Sequence, residues 1–348
     1  MRFIRPSASA LPLQAVVLAG GKGTRLRPLT YGLPKPLLPV MGRPLLAHIV
    51  ERLPKEVDEV LLTVSYMAGH LRQWAAHAND PALEGRQIRV ITERQPLGTG
   101  GAVQNCADLI DGTFFVMNGD LLSDVDFRAL LARHRDQGAL GTISLYQVAD
   151  PSRYGVVEQD DAGRILRFVE KPPAGEAPSD RVNAGAYVLE PEVLDLIEAG
   201  RPVSIEREVF PRVADTERGL WGLPFQGLWV DCGTPESYLG VHHELLARTG
   251  RTHMVANGTK VEAEADALRG SVIGAGGHIG AGARVQDSVL LDDVQVGAGA
   301  LIERSIVASG ARILPGARLV DCVVGAGEAV AEGSELIERR LGMRAGDA

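Results

Sequence analysis

A chain of 348 residues exceeds what one ordinary hydrophobic core organises, so two domains are expected. An apolar fraction of 45% with 23% charged residues excludes disorder as the default, and no apolar run approaches the roughly 20 residues of a membrane span. A net charge of −8 excludes broad nucleic-acid binding, so any anionic ligand must be held by a local basic cluster.

The first residues, MRFIRPSASALPLQ, carry arginines but no apolar core of leader length. Cys106, Cys232 and Cys322 are widely separated and form no C-x-x-C pair, which supports neither a zinc site nor a disulfide framework. A cytoplasmic protein without membrane or nucleic-acid partners is expected.

Strand signals follow at LQAVVLAG (13–20), EVLLTVSY (59–66), IRVITE (88–93), TFFVMNGD (113–120) and GTISLYQV (141–148). Between them PLLAHIVERL (44–53), GHLRQWAAHA (69–78), TGGAVQNCADLI (99–110) and VDFRALLARHRDQ (125–137) read as helices. This alternation predicts crossover units and a mostly parallel, two-sided α/β sheet, with ligands beyond the carboxyl ends of its strands. YGVVEQDDAGRILRFVEKP then reads as a hairpin turning at DDAG. A strand VNAGAYVLE (182–190), a helix SIEREVFPRVAD (204–215), strands near FQGLWVDCG (225–233) and a helix PESYLGVHHELLAR (235–248) complete this part.

The remainder repeats every 17 residues: DALRGSVIGAGGHIGAG, ARVQDSVLLDDVQVGAG, ALIERSIVASGARILPG and ARLVDCVVGAGEAVAEG. One column holds Ser271, Ser288, Ser305 and Cys322; another Val272, Val289, Ile306 and Val323; a third Ile279, Val296, Ile313 and Val330. Glycines 282, 299, 316 and 333 close the rows. Stacked aliphatic columns with small residues at corners predict a β-solenoid burying one continuous core. The expected layout is 1–250 for the α/β domain, 251–265 as linker and 266–348 as a solenoid of four to five coils. His278, a lone histidine in GGHIGAG, reads as an exposed coil residue rather than the base of an acyltransferase.

Residues 18–39, LAGGKGTRLRPLTYGLPKPLLP, match neither G-x-x-x-x-G-K-S/T nor G-x-G-x-x-G. Gly20, Gly21 and Gly23 allow tight turns that expose N–H groups to an anion, and Arg25 and Arg27 add guanidinium forks. Lys35 stands between Pro34 and Pro36 on a stiff stretch. Only five of the 36 basic residues are lysines, and Lys22, Lys35 and Lys171 of those five fall in motifs.

LAGGKGTRLRPLT followed by PKPLLP resembles the signature of sugar-1-phosphate nucleotidylyltransferases. PLGTGGA (96–102), NGD (118–120), RYGVVE (153–158), EKP (170–172), NAGAY (183–187), SIEREVFP (204–211) and LWVDCGTPESY (228–238) follow in that family's order. The mannose-1-phosphate guanylyltransferase branch is the most similar, and a hexapeptide-type left-handed β-helix also occurs in the family.

The resemblance implies a Rossmann-like catalytic domain that joins an NTP, preferably GTP, to a sugar 1-phosphate with Mg²⁺. Asp120 and Asp231 match the metal-binding aspartates, Arg25 would hold the β/γ-phosphates, and Lys35 would neutralise charge near the reacting centre. Lys171 would hold the sugar phosphate, with Gly119, Glu170, Asn183 and Gly185 around the sugar. Leu18, Ala19, Gly20, Gly21, Gly23, Thr24, Gly98 and Thr99 would complete the nucleotide site, and Trp229 and Thr234 flank the second metal position. A homo-oligomer formed through the β-helix is also expected. Glucose 1-phosphate with dTTP, UTP or ATP, or a heptose 1-phosphate with GTP, are alternative substrate pairs. A catalytically silent regulatory subunit is opposed by the intact Arg25, Lys35, Asp120, Lys171 and Asp231.

Overall fold

The computed structural model describes residues 13–347. The segment before Leu13, where no leader was read, lies outside the described residues. The chain forms two compact units, one of Met1–Gly21 with Ala47–Trp229 and the other of Lys22–Leu46 with Val230–Ala348. Among the described residues no helix is long and apolar enough to cross a membrane.

The first unit is built on a mixed sheet. Its strands are β1 (Leu13–Leu18), β2 (Val57–Val64), β3 (Gln87–Thr92), β4 (Phe114–Asn118), β5 (Gly141–Gln147), β6 (Gly155–Gln159), β7 (Ile165–Glu170), β8 (Arg181–Leu189) and β9 (Leu220–Pro224). β3, β2, β1 and β4 run parallel in that spatial order. β8 then lies antiparallel to β4 and also pairs antiparallel with β5 and β6, while β6 and β7 form the expected hairpin. Val16, Leu61, Val116 and Tyr187 are fully buried in one core, with Phe210 edge-on to Tyr187 at 4.9 Å. Consecutive buried residues in β1, β2 and β4, on both faces of the sheet, explain why these segments read as continuous apolar runs.

Parallel register also sets the place of the site. Leu18 is aligned with both Thr63 and Asn118, so the loops after β1, β2 and β4 leave the same edge. The stretch 204–215 differs from the single helix expected. Ile205–Val209 forms a π-helical turn before the α-helix Phe210–Ala214. Pro211 has no N–H with which to bond four residues back, so a regular ladder cannot run through it.

The second unit contains the helix Pro235–Arg248, opened by a reciprocal cap between Thr234 and Ser237. Its solenoid has three parallel sheets of six, five and four strands. Residue partners in adjacent coils are the columns read from sequence, such as Val272, Val289, Ile306 and Val323. Inside, Ser288, Ser305 and Cys322 each donate a backbone N–H to the Oγ of the serine one coil earlier, at 3.2, 3.0 and 2.9 Å. This buried ladder explains why small polar residues recur in an otherwise apolar core.

The linker expected at 251–265 is corrected. Met254–Val255 and Lys260–Val261 pair with Val272–Ile273 and His278–Ile279, so this segment forms the first coil. His278 lies in that sheet with its Nε2 3.4 Å from Glu262 Oε1. Lys22–Leu46 folds in the same unit through three short 3₁₀ turns, Thr24–Leu26, Leu29–Tyr31 and Lys35–Leu37.

Candidate functional site

In the first unit, the edge shared by β1, β2 and β4 opens into a cavity of about 310 Å³. Leu18, Gly20 and Gly21 line it from the loop after β1, and Asn118 and Asp120 from the loop after β4. Pro96, Gly98, Thr99 and Ala102 line it from the PLGTGGA segment. Ala19 is buried beside it, its N–H given to Thr63 O at 3.0 Å. Gly119 crosses tightly over the end of β1: its N–H bonds Leu18 O at 2.9 Å, and a Cβ there would sit 2.8 Å from the same oxygen. That close crossing carries Asp120 to the cavity wall.

Gly98 has φ 70°, and a Cβ added to it would meet Val203 O at 2.6 Å. Its glycine requirement therefore comes from chain packing as well as from the open space beside it. The Thr99 hydroxyl donates to Glu206 at 2.7 Å and accepts from the Ile205 N–H at 2.9 Å.

The cavity also holds groups the sequence did not single out. Ser65 Oγ donates to Gly20 O at 2.6 Å. Glu93, only 7% exposed, accepts the Leu97 N–H on Oε2 at 2.9 Å. Its Oε1 lies toward Gly20, where an added Cβ would come within 3.2 Å. Burial raises its pKa, partly offset by the Leu97 hydrogen bond. The only signal for Glu93 was an acid closing a strand immediately before a glycine-rich segment. Cys106, Cys232 and Cys322 are buried and form no disulfide, and burial pushes the Cys106 thiol up to about 12.

On the same unit Glu170 ends β7 and Lys171 follows it, with Lys171 Nζ 3.9 Å from Glu170 Oε1. Lys171 has φ 52°, uncommon for a side-chain-bearing residue, and its N–H bonds Tyr154 O at 2.9 Å. Burial, followed by the neighbouring Glu206, raises the Glu170 pKa. Asn183 is occupied within β8, accepting from Gly185 N at 3.0 Å and donating to Tyr187 OH at 2.9 Å. Gly185 has φ 75°, and a Cβ there would collide with Asn118 Nδ2 at 2.7 Å. Trp229 is a packing residue, stacked on Tyr146 at 5.1 Å and bonded through Nε1 to Ala184 O at 3.2 Å.

The second unit gathers Arg25, Lys35 and Asp231. Lys35 is 6% exposed, and its Nζ lies 3.2 Å from Asp231 Oδ1. Arg25 Nη2 lies 3.7 Å from Asp231 Oδ2. Gly23 makes the turn possible: its φ is 61°, Thr30 Oγ1 bonds its carbonyl at 2.8 Å, and a Cβ would meet Thr30 Cγ2 at 2.9 Å. Thr24 opens the first 3₁₀ turn and is exposed. Gly233 leaves room for the cluster, since a Cβ there would lie 2.6 Å from Arg25 Nη2 and 2.8 Å from Asp231 Oδ1. Arg25 and Lys35 both face this carboxylate, and their guanidinium and ammonium donors are of the kind that bind phosphate oxygens.

Among the described residues no group of three or more His, Cys, Asp or Glu side chains could by itself hold a metal ion. Asp120 in the first unit and Asp231 in the second each offer hard carboxylate oxygens, the donor type that hard divalent cations take.

The family model for Nucleotidyl transferase matches residues 14–248, and that for the GMPPB C-terminal domain matches residues 250–340. A mannose-1-phosphate guanylyltransferase of Mycobacterium tuberculosis is 41% identical over 295 residues, covering 81% of each chain. A probable mannose-1-phosphate guanylyltransferase of Arabidopsis thaliana is 42% identical over 65% of this chain, which spans 63% of that relative. The crystal structure of HddC from Yersinia pseudotuberculosis covers 67% of this chain and 99% of its own, with 28% identity and a TM-score of 0.56. With the parallel-edge cavity and the solenoid each falling within its matched span, the chain belongs to the nucleotidyl transferase family.

Proposed function

We propose that this chain joins GTP and mannose 1-phosphate to give GDP-mannose and pyrophosphate. The observation that carries the choice of base is the Glu93 carboxylate within the cavity, with one oxygen engaged by Leu97 N–H and the other turned toward Gly20. Guanine presents adjacent N1–H and N2–H₂ donors, which complement a carboxylate. Uracil and thymine present carbonyls on either side of one N–H, and adenine presents an acceptor nitrogen at the corresponding position. A buried carboxylate disfavours those bases, because its lone pairs would face acceptors in low dielectric. The names of the similar mannose-1-phosphate guanylyltransferases favour the same substrates.

In the proposed reaction a phosphate oxygen of the sugar phosphate forms a bond to the α-phosphorus. The bond from that phosphorus to the bridging oxygen breaks, and pyrophosphate leaves with the electron pair. No protein nucleophile is needed, so catalysis rests on positioning and charge neutralisation. We assign Arg25 to the β/γ-phosphates and Lys35 to charge near the α-phosphorus. Lys171 is assigned to the sugar phosphate, and Gly119, Glu170, Asn183 and Gly185 to the sugar side of the site. Leu18, Ala19, Gly20, Gly21, Gly23, Thr24, Gly98 and Thr99 are assigned to the nucleotide.

Asp120 and Asp231 are proposed to hold Mg²⁺, which when bound neutralises charge on the phosphate oxygens. Arg25 and Lys35 already face Asp231. Arriving phosphates would draw these cations toward themselves and free carboxylate oxygens. Three buried cysteines without a disulfide also favour a reducing, cytoplasmic location.

Pyrophosphate release across a panel of NTPs and sugar 1-phosphates tests this reading. GTP with mannose 1-phosphate should give the highest kcat/KM, and chelation of divalent cations should abolish turnover. Asp120→Asn and Asp231→Asn should each lower kcat by about 100-fold or more. Preference for another pair would overturn the substrate choice. Release with no pair would favour a silent sensor of nucleotide sugars.

A further inference from the structure

Of the two arginines in the signature loop, only Arg25 has its side chain near Asp231. Arg27 is engaged elsewhere within the same unit. Its guanidinium is in direct contact with Asp347 Oδ1, and its side chain is 23% exposed. Asp347 Oδ2 accepts the Tyr31 hydroxyl at 2.7 Å, and that hydroxyl accepts the Arg344 N–H at 3.1 Å. The Arg344 guanidinium lies 4.4 Å from the centre of the Tyr31 ring, with that of Arg27 5.4 Å away. From the last strand of the six-stranded solenoid sheet, Arg340 Nη1 donates to the carbonyls of Arg25 at 2.9 Å and Arg27 at 3.2 Å.

We propose that residues 340–347 are a positioning strap for the phosphate-binding loop, with Arg340 and Asp347 as its two attachment points. The role of the strap rests on the nucleotidyl-transfer reading of Arg25. The Arg25 side chain is 66% exposed and meets Asp231 at 3.7 Å, too long for a hydrogen bond to fix its direction. Its aim is therefore set largely by its backbone. A carbonyl at the end of a 3₁₀ turn has no partner within that turn, and here Arg340 holds it from outside. Arg27 and Tyr31 anchor the loop further along. In this arrangement Arg27 acts through the strap and not on phosphate.

Four variants of the whole chain, with wild type alongside, test the proposal. Arg340→Ala and Asp347→Asn should speed amide hydrogen exchange across residues 24–31 while the coils around Ser288 and Ser305 keep their protection. Each should lower kcat/KM for GTP about tenfold, as expected for a displaced phosphate ligand, with KM for the sugar phosphate unchanged. Arg27→Asp should behave alike, and combining it with Asp347→Arg should restore both protection and turnover. A direct phosphate contact by Arg27 would leave the swapped pair inactive and overturn the strap. Unchanged exchange at 24–31, or faster exchange with unchanged GTP kinetics, would overturn it too. If wild type transfers no nucleotide with any pair, the functional reading fails, and the exchange data alone decide whether the strap holds the loop.

Discussion

Glu93 is a residue whose placement costs stability in order to leave a charge in a cavity. Its pKa in the folded chain is raised above the ordinary value of 4.5, chiefly by burial. The folded state therefore binds the proton more tightly than the unfolded chain does. Stability associated with this group is present in full below pH 4.5 and is lost as pH rises through the raised value. Glu93→Gln keeps an acceptor for the Leu97 N–H and removes the buried charge. At pH 7.5 the variant should be more stable than wild type by about 1 kcal/mol in denaturant titration, and the gain should vanish below the ordinary glutamate pKa. The same variant should lose about 100-fold in kcat/KM with GTP, since its amide opposes one guanine donor with a donor of its own. A variant that is stabilised but keeps full GTP preference would show that Glu93 serves only the Leu97 turn.

Elements were largely legible because each had a period. The parallel strands read as apolar runs, and the helix Pro235–Arg248 was bounded by its cap and by proline in its first turn. The solenoid columns were visible because equivalent residues recur every 17 positions. The first coil escaped because Met254 pairs with Val272 and Lys260 with His278, one residue further apart than Val272 and Val289. A fixed row length passes over such an insertion. Glu93 escaped for a different reason: its meaning comes from convergence with Gly20 and Ser65, which lie on other loops. The serine column allows a quantitative test at this scale. Ser288 Oγ accepts the Ser305 N–H at 3.0 Å and donates to Gln286 O at 2.6 Å in a fully buried position. Ser288→Ala leaves that N–H without its partner and should cost about 1–3 kcal/mol. Cys322→Ser extends the hydroxyl column and should cost less than Ser288→Ala. Equal losses in the two variants would mean that cavity and packing effects, rather than the hydroxyl ladder, dominate.

At the scale of the molecule, the chain assigns the signature stretch Lys22–Leu46 to the unit that contains the solenoid, along with Asp231. The cavity lined by Asp120 belongs to the other unit. A repeat domain of this kind is stabilised coil by coil, so a defect in its core lowers the stability of what folds with it. Ile302 is fully buried in the solenoid core, and Leu61 is fully buried in the sheet core. Truncating either to alanine removes comparable apolar volume and should cost about 2–5 kcal/mol. In calorimetry, Ile302→Ala should lower one transition and Leu61→Ala another. Because Arg25, Lys35 and Asp231 fold with the coils, Ile302→Ala should also lower the temperature at which nucleotidyl transfer is lost. That loss should occur while the sheet transition stays where it is in wild type. Inactivation unmoved by Ile302→Ala, despite a lowered solenoid transition, would show that the phosphate loop draws its stability from the sheet. One transition shifted alike by both variants would show that the two units unfold as a single cooperative body.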